Sequence, residues 1–302
     1  MLARVLKRVS QARLIDETIV ATTGDAIDDA IEQFCQERGV ACYRGSLYDV
    51  LDRFYQAAKL TEADVIIRIT ADCPMIDPAE IDRVIQAFLD NKADFAANRL
   101  PPPFERTTPI GMDTEVCSMA AMERAWKEAD QPYQREHVMP YLYESEGRFN
   151  VVLVDHQPDM GHLRFTVDTQ QDLQLANEVY AAFGGRDDFS LQELIEENEK
   201  HPEWQQEVAE IKHKNLYDTD QRAQALADPG QKQTDNATRK ELEQALCPLC
   251  GSSKTRLFEK TQSFGFPVDY FLCQDCGFVF QDARQSQAAD PDFYQETYRK
   301  IY

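Results

Sequence analysis

Residues 65–80 read VIIRITADCPMIDPAE, a buried strand running into an acidic turn and then into a helix. Val65, Ile66, Ile67 and Ile69 form the near-continuous β-branched run of a parallel strand covered on both faces, not the alternation of a half-exposed one. Asp72 follows just past the strand's carboxyl end. Asp77, Pro78 and Glu80 then read as N-cap, N1 and N3 of a helix, a capping box with proline where its missing N–H costs nothing. That helix carries Ile81, Val84, Ile85, Phe88 and Leu89 on one face. Ligands of open α/β sheets collect beyond the carboxyl ends of the strands, so a carboxylate there is placed to hold a metal or a ribose hydroxyl.

Upstream, Leu2, Val5, Leu6 and Val9 recur at helical spacing, with Arg4, Lys7 and Arg8 assigned to the other side, and no strand precedes them. TIVATT (18–23) reads as a short buried strand, followed by a helix with Ile27, Ile31 and Phe34 inward and Gly39 as its stop. Residues 41–43 form a second brief strand. Ser46 and Asp49 then cap a helix bearing Val50, Leu51, Phe54 and Tyr55. Strand and helix alternate at α/β spacing, which predicts a mainly parallel sheet with right-handed crossovers.

Downstream the rhythm loosens between Phe95 and Arg148. A proline-rich loop (100–109) precedes a strand predicted over 113–116 and a helix over 119–128. Strands are expected at 151–154 and 163–167, the second ending in Asp168, with a helix over 169–183. Two acidic residues, Asp72 and Asp168, thus each stand at the carboxyl end of a predicted strand. Ser190 and Glu193 read as a further capping box.

At 302 residues the chain is long for one core and divides into two units. The expected division is a first domain over 1–188, a polar helical linker over 189–245 containing the breaker Asp228-Pro229-Gly230, and a small second unit over 246–302. A net charge of −21 argues against a nucleic-acid backbone or an anionic membrane as partner, since either needs a basic footprint. No run reaches the roughly 18 apolar residues of a membrane span, and the start lacks a signal-peptide core. Cys35, Cys42, Cys73 and Cys117 are scattered, as buried thiols of a reducing cytoplasm are.

In order along the chain, the motifs LIDETIVATT, VACYRGSLYDVLDRFYQAA, DVIIRITADCPMIDP, GMDTEV, REHVMPY and LRFTVDTQQDL cover most of residues 12–183. Together they resemble the sugar-nucleotide cytidylyltransferases of the spore-coat polysaccharide F type, relatives of the acylneuraminate and deoxy-manno-octulosonate cytidylyltransferases. The resemblance implies a Rossmann-like, mostly parallel sheet of the nucleotide-diphospho-sugar transferase type. It also implies attack of a sugar-acid hydroxyl on the α-phosphate of CTP, with Mg²⁺ neutralising charge. Asp72 and Asp168 are the implied Mg²⁺ ligands and catalytic residues. Thr22 and Thr23, with Arg44, Gly45 and Ser46, match the base and ribose pocket, and Arg68 is assigned to the same crevice. Residue by residue, other readings stand beside these: Asp72 as a turn former, Asp168 as a cap for the following helix, Thr22 and Thr23 as ordinary strand residues. Arg135, Glu136 and His137 read as a helix start or a sugar-acid contact, and Asp113 and Glu115 are undecided. Relatives begin with a central strand and a phosphate-gripping loop of the form QARxxSxRLPGK. Neither stands here, so a truncated start and impaired CTP turnover are expected, with monomer and homodimer both open.

The last segment carries CPLC (Cys247, Cys250), a 22-residue gap (251–272), then CQDC (Cys273, Cys276). Two CxxC knuckles at this separation predict a structural Zn²⁺ ribbon, with two reducible disulfides as the other reading. Lys254, Arg256 and Lys260 are offset by Glu259, Asp269 and Asp275, so no net basic face arises. The context CPLCG and YFLCQDCGFVF resembles the zinc-binding segment ahead of class I S-adenosylmethionine-dependent sugar methyltransferases. The methyltransferase portion is absent, so the end too is expected to be truncated. The expected activity is CMP transfer to a sugar acid for a surface polysaccharide; the alternative is a non-catalytic remnant whose ribbon mediates protein contacts.

Overall fold

The computed structural model describes residues 1–208, 253–263, 266–275 and 279–281. The chain divides into two compact units, Met1–Thr219 and Asp220–Tyr302. The first contains α1 (Leu2–Val9), β1 (Ile19–Thr23), α2 (Asp29–Arg38), β2 (Ala41–Gly45), α3 (Val50–Leu60), β3 (Val65–Arg68), α4 (Pro78–Asp90) and β4 (Phe95–Ala97). It continues through β5 (Glu115–Ser118), α5 (Met119–Glu128), α6 (Pro132–His137), α7 (Pro140–Tyr143), β6 (Val151–Leu153), α8 (Gln170–Ala182), α9 (Leu191–Lys200) and α10 (Glu203–Val208).

Four strands pair in the order β3-β5-β4-β6, and β1 pairs separately with β2. The pairs β1 with β2 and β4 with β6 are parallel, whereas β5 runs antiparallel to both of its neighbours. The sheet is therefore mostly parallel with one reversed strand. Helices cover both faces. On one side Ala96 and Val116 meet Val5 and Val9 of α1, Ile81 and Val84 of α4, Leu175 of α8 and Trp204 of α10. On the other, Phe95, Ala97 and Cys117 meet Leu51 and Tyr55 of α3 and Met122 of α5. Neighbouring residues of β4 and β5 thus serve opposite layers, as the two-residue repeat of a strand requires.

Several expectations change here. Ile27 is 53% exposed and Leu89 49%, so neither joins the core. Ile27 sits in a 3-10 turn (Ala26–Asp28) ahead of α2, whose one buried residue is Cys35, and Gly39 ends the helix in the left-handed conformation at φ 65°. Arg8, assigned to the solvent side, is fully buried: its guanidinium donates to the carbonyls of Ile76 (2.6 Å), Asp187 (2.9 Å) and Phe189 (2.8 Å), which replace its water. Asp77 caps α4 through the N–H groups of Ala79 and Glu80, but Glu80 turns to Arg83, so the reciprocal half of the box is not formed. Residues 163–167 are buried without forming a strand. They make a single bridge, Ile110 with Arg164, because the segment leaves Ile110 and crosses to Asp72 within four residues (164 to 167). The polar stretch from 189 is no linker at its start: Phe189, Leu191, Leu194, Trp204 and Val208 pack into the first core. Strand β4 went unrecognised because its three residues carry no period long enough to read.

The second unit contains an antiparallel three-stranded sheet, β7 (Thr255–Ser263), β8 (Phe266–Cys273) and β9 (Val279–Gln281), in that order. Of the zinc cysteines, Cys247, Cys250 and Cys276 lie outside the described residues, and Cys273 is described as the last residue of β8.

Candidate active site

The crevice expected beyond the strand ends exists. A cavity of about 280 Å³ is lined by Thr70, Asp72, Cys73, Arg99, Arg106, Ile110, Gly111, Asp113, Thr166 and Asp168. Asp72 lies on the loop that joins β3 to α4. That loop is fixed from across the site: the Asp72 carbonyl accepts from the Val167 N–H (2.8 Å) and the Thr166 hydroxyl (3.1 Å). Asp72 and Asp168 therefore border one space although 96 positions (72 to 168) separate them in sequence.

Asp168 is held from below. Its Oδ2 accepts from Arg164 Nη2 (2.7 Å), and the same buried guanidinium binds Asp172 through Nε (2.7 Å) and Nη2 (2.9 Å). The cap of α8 is Thr169, whose side chain exchanges hydrogen bonds with Asp172, so Asp168 is released from the capping role. Burial alone would raise the Asp172 pKa, but the bonds from Arg164 and the Asp168 N–H outweigh it and hold that carboxyl below its usual range. Asp72 Oδ1 meets the Cys73 thiol (3.3 Å); burial, and then the Asp72 charge, push that thiol well above its ordinary pKa, so it stays protonated as a donor.

The rest of the lining includes Asp113, left undecided by the sequence, together with Arg99 and Arg106, which the sequence did not single out. Arg106 grips Asp113 with two parallel bonds (2.6 and 2.9 Å). Gly111 has φ +99°, and a Cβ there would lie 2.6 Å from the Phe165 carbonyl carbon and 2.7 Å from the Thr166 nitrogen. Only glycine lets these segments meet, a signal legible in the GMDTEV motif. Buried Asn98 staples the same loop, donating to the Met112 carbonyl and accepting from the Thr114 N–H (2.8 Å each). Arg99 lines the cavity and makes no hydrogen bond or ion pair with described residues.

The remaining residues expected at the site form a separate cluster at the ends of β1 and β2. Asp28 Oδ2 accepts from the Thr22 hydroxyl (2.7 Å), the Thr23 hydroxyl (2.5 Å) and the Thr23 N–H (2.9 Å). Burial raises the Asp28 pKa, and the bonds from Thr23 and Thr22 more than reverse it. Arg44 donates to the carbonyls of Thr23 and Asp25 and pairs with Asp29 and Glu32. Gly45 is packed against Arg53 and Tyr43, and the Ser46 hydroxyl accepts from the Asp49 N–H ahead of α3. Arg68 pairs with Glu115 (2.5 Å) and lines a different cavity. Arg135, in α6, pairs with Asp49 and donates to the Trp126 carbonyl (2.7 Å). None of these borders the Asp72 and Asp168 cleft.

Two carboxylates with unfilled oxygen lone pairs suit Mg²⁺, which takes one or two protein carboxylates and completes its octahedron with phosphates and waters. Among the described residues no group of three or more His, Cys, Asp or Glu side chains is disposed to hold a metal by itself. No helix among them is long and apolar enough to cross a membrane.

This arrangement, a mostly parallel sheet with a carboxylate-lined cleft past its strand ends, is the α/β fold of the nucleotidyltransferases. A solved cytidylyltransferase of Leptospira borgpetersenii matches it with a TM-score of 0.63 and 30% identity, over 71% of this chain and 87% of that one. The chain belongs to the cytidylyltransferase family, whose profile spans residues 1–207. An uncharacterised protein of Methanocaldococcus jannaschii is 33% identical over 219 residues, 72% of this chain and 87% of the relative. The spore coat polysaccharide biosynthesis protein SpsF of Bacillus subtilis is 31% identical over 193 residues, 62% and 77% respectively.

Proposed function

We propose that this chain transfers CMP from CTP to a sugar acid that supplies a surface polysaccharide, with Asp72 and Asp168 as the ligands of Mg²⁺. The observation that carries the reading is the sharing of one cleft by these two carboxylates, tied together through the Asp72 carbonyl and the Val167 N–H. Bound there, Mg²⁺ would neutralise the triphosphate as charge moves onto the leaving group. The acceptor hydroxyl bonds to the α-phosphorus while the bond to pyrophosphate breaks, and the hydroxyl proton passes to water. The chain's own part is positioning. Arg164 keeps Asp168 at the rim, the Cys73 thiol orients Asp72, and Arg99 offers an unspent guanidinium to the acceptor's carboxylate.

The test is pyrophosphate release by the full chain with CTP, Mg²⁺ and a panel of sugar acids. Asp72→Asn and Asp168→Asn are each expected to lower turnover roughly 10²-fold or more, equivalent to about 3 kcal/mol of transition-state stabilisation. Arg99→Ala is expected to raise the acceptor KM more than it lowers kcat. Unchanged turnover in both aspartate variants would sink the assignment.

A further inference from the structure

Two arginine–aspartate pairs stand at the cleft, and they are built differently. Arg164 and Asp172 are 4% and 0% exposed, closed to any ligand. Arg106 and Asp113 are 20% and 32% exposed, and both line the cavity. Their two parallel bonds, 2.6 and 2.9 Å, occupy the fork of the guanidinium with a carboxylate. Beyond this pairing Arg106 makes one long side-chain bond, from Nη1 to the Thr108 carbonyl (3.4 Å), and the Asp113 carboxylate accepts from no other described residue. The surrounding fold is fastened without the pair. On the Arg106 side the Thr107 carbonyl accepts from the Met160 N–H (2.9 Å) and the Thr107 hydroxyl from the His156 N–H (2.8 Å). The Arg106 carbonyl also packs so close to Gly161 that a Cβ there would lie 1.9 Å from its oxygen. The Asp113 side is held by Asn98 and by Ile110, which donates to the Leu163 carbonyl (2.9 Å) and accepts from the Phe165 N–H (2.7 Å). Both backbones are thus fixed before the two side chains meet, and a part-exposed ion pair adds little to a fold so held.

Charge gives the pair a use. The lining sets three carboxylates, Asp72, Asp113 and Asp168, against two guanidiniums, Arg99 and Arg106. A polyphosphate arriving here meets a surface short of positive charge, and the fork of Arg106 fits two phosphate oxygens as well as two carboxylate oxygens. We infer that Asp113 stands in for phosphate: a polyphosphate entering the cleft takes Arg106 from Asp113, which makes Arg106 a nucleotide-binding residue and Asp113 the positioning residue that holds it until then. The inference rests on the nucleotide reading of the cleft. Because Arg106 turns on a fixed backbone, the exchange needs only side-chain rotation, and the freed carboxylate, already 32% exposed, returns to water.

The test is titration calorimetry of the full chain with inorganic pyrophosphate and Mg²⁺. Arg106→Met is expected to weaken binding roughly tenfold. Asp113→Asn frees the fork in advance and is expected to tighten binding roughly fivefold. A carboxylate that merely repels phosphate would give the same gain, so the double variant decides. Exchange predicts that Arg106→Met with Asp113→Asn binds within about twofold of Arg106→Met alone, whereas repulsion predicts that the gain survives. Asp113→Asn is expected to melt within about 3 °C of the parent, as a loop fastened through its backbone should. The inference is overturned if Asp113→Asn fails to tighten binding, if Arg106→Met fails to weaken it, if the gain persists in the double variant, or if Asp113→Asn melts lower than that margin. Binding by all four proteins with one Kd overturns it alone; no binding by any of them overturns the nucleotide reading with it.

Discussion

Replacing Asp172 by asparagine keeps the side chain's shape and removes the charge that the site's foundation depends on. Asp172 is 0% exposed and its partner Arg164 4%. Besides two bonds from Arg164, the carboxylate accepts from the N–H groups of Asp168 (3.0 Å) and Thr169 (2.8 Å). In Asp172→Asn the guanidinium is left buried beside a neutral amide, while the rim carboxylate of Asp168 stays paired with it. Removing one partner of a buried ion pair costs about 3–5 kcal/mol. In a unit of this size each kcal/mol moves Tm by about 2–4 °C, so the variant should melt roughly 6–20 °C below the parent at pH 7 by scanning calorimetry. The pH dependence has a definite sign. The folded pKa of Asp172 is depressed below the unfolded value of about 3.9, so its stabilisation is complete above that pH and is lost as pH falls through the folded pKa. The gap between parent and variant is therefore constant from pH 5 to 8 and closes in acid. A drop of less than about 3 °C, or a gap that widens below pH 4, refutes the role given to this pair.

Gly111→Ala places a methyl group within 2.7 Å of the Phe165–Thr166 backbone at a φ that alanine avoids. It should cost about 2 kcal/mol or more and lower pyrophosphate release along with Tm, because the Thr166 segment also holds Asp72. Arg8→Met leaves the carbonyls of Ile76, Asp187 and Phe189 without their donor while keeping most of the apolar stem. At about 1 kcal/mol or more for each stranded acceptor, the urea midpoint should fall by roughly 1 M.

What the sequence disclosed and what it hid divide by the range of the forces involved. Caps are local: Asp49, Asp77 and Ser190 all accept from the N–H groups expected for their positions, because an N-cap needs only the next three residues to be satisfied, while Thr169 takes the cap that the sequence offered to Asp168. Asp72 and Asp168 were legible as a pair since both follow apolar runs, and the cleft they share is what a parallel sheet provides past its strand ends. Their supports were not legible. Arg164, eight residues before Asp172, and Arg106, seven before Asp113, look in sequence like any surface ion pairs; only burial turns the first into a foundation. Arg8 misled for the same reason, since a helical wheel assigns a charge to water and has no means of knowing that three carbonyls wait opposite.

The β1 and β3 edges make the complementary point. The run VIIRI predicts a parallel strand covered on both faces; Val65 and Ile67 pack against one core and Ile66 lies in the other, but among the described residues β3 pairs only with β5, antiparallel, at the end of its sheet. Yet a strand needs hydrogen-bonding neighbours as well as covering helices, and side-chain pattern reports only the second. Val65 and Ile67 carry the composition of a completed sheet while one edge of β3 faces a cavity. The composition of β3 thus reports the helices that cover its faces and not the neighbours along its edges.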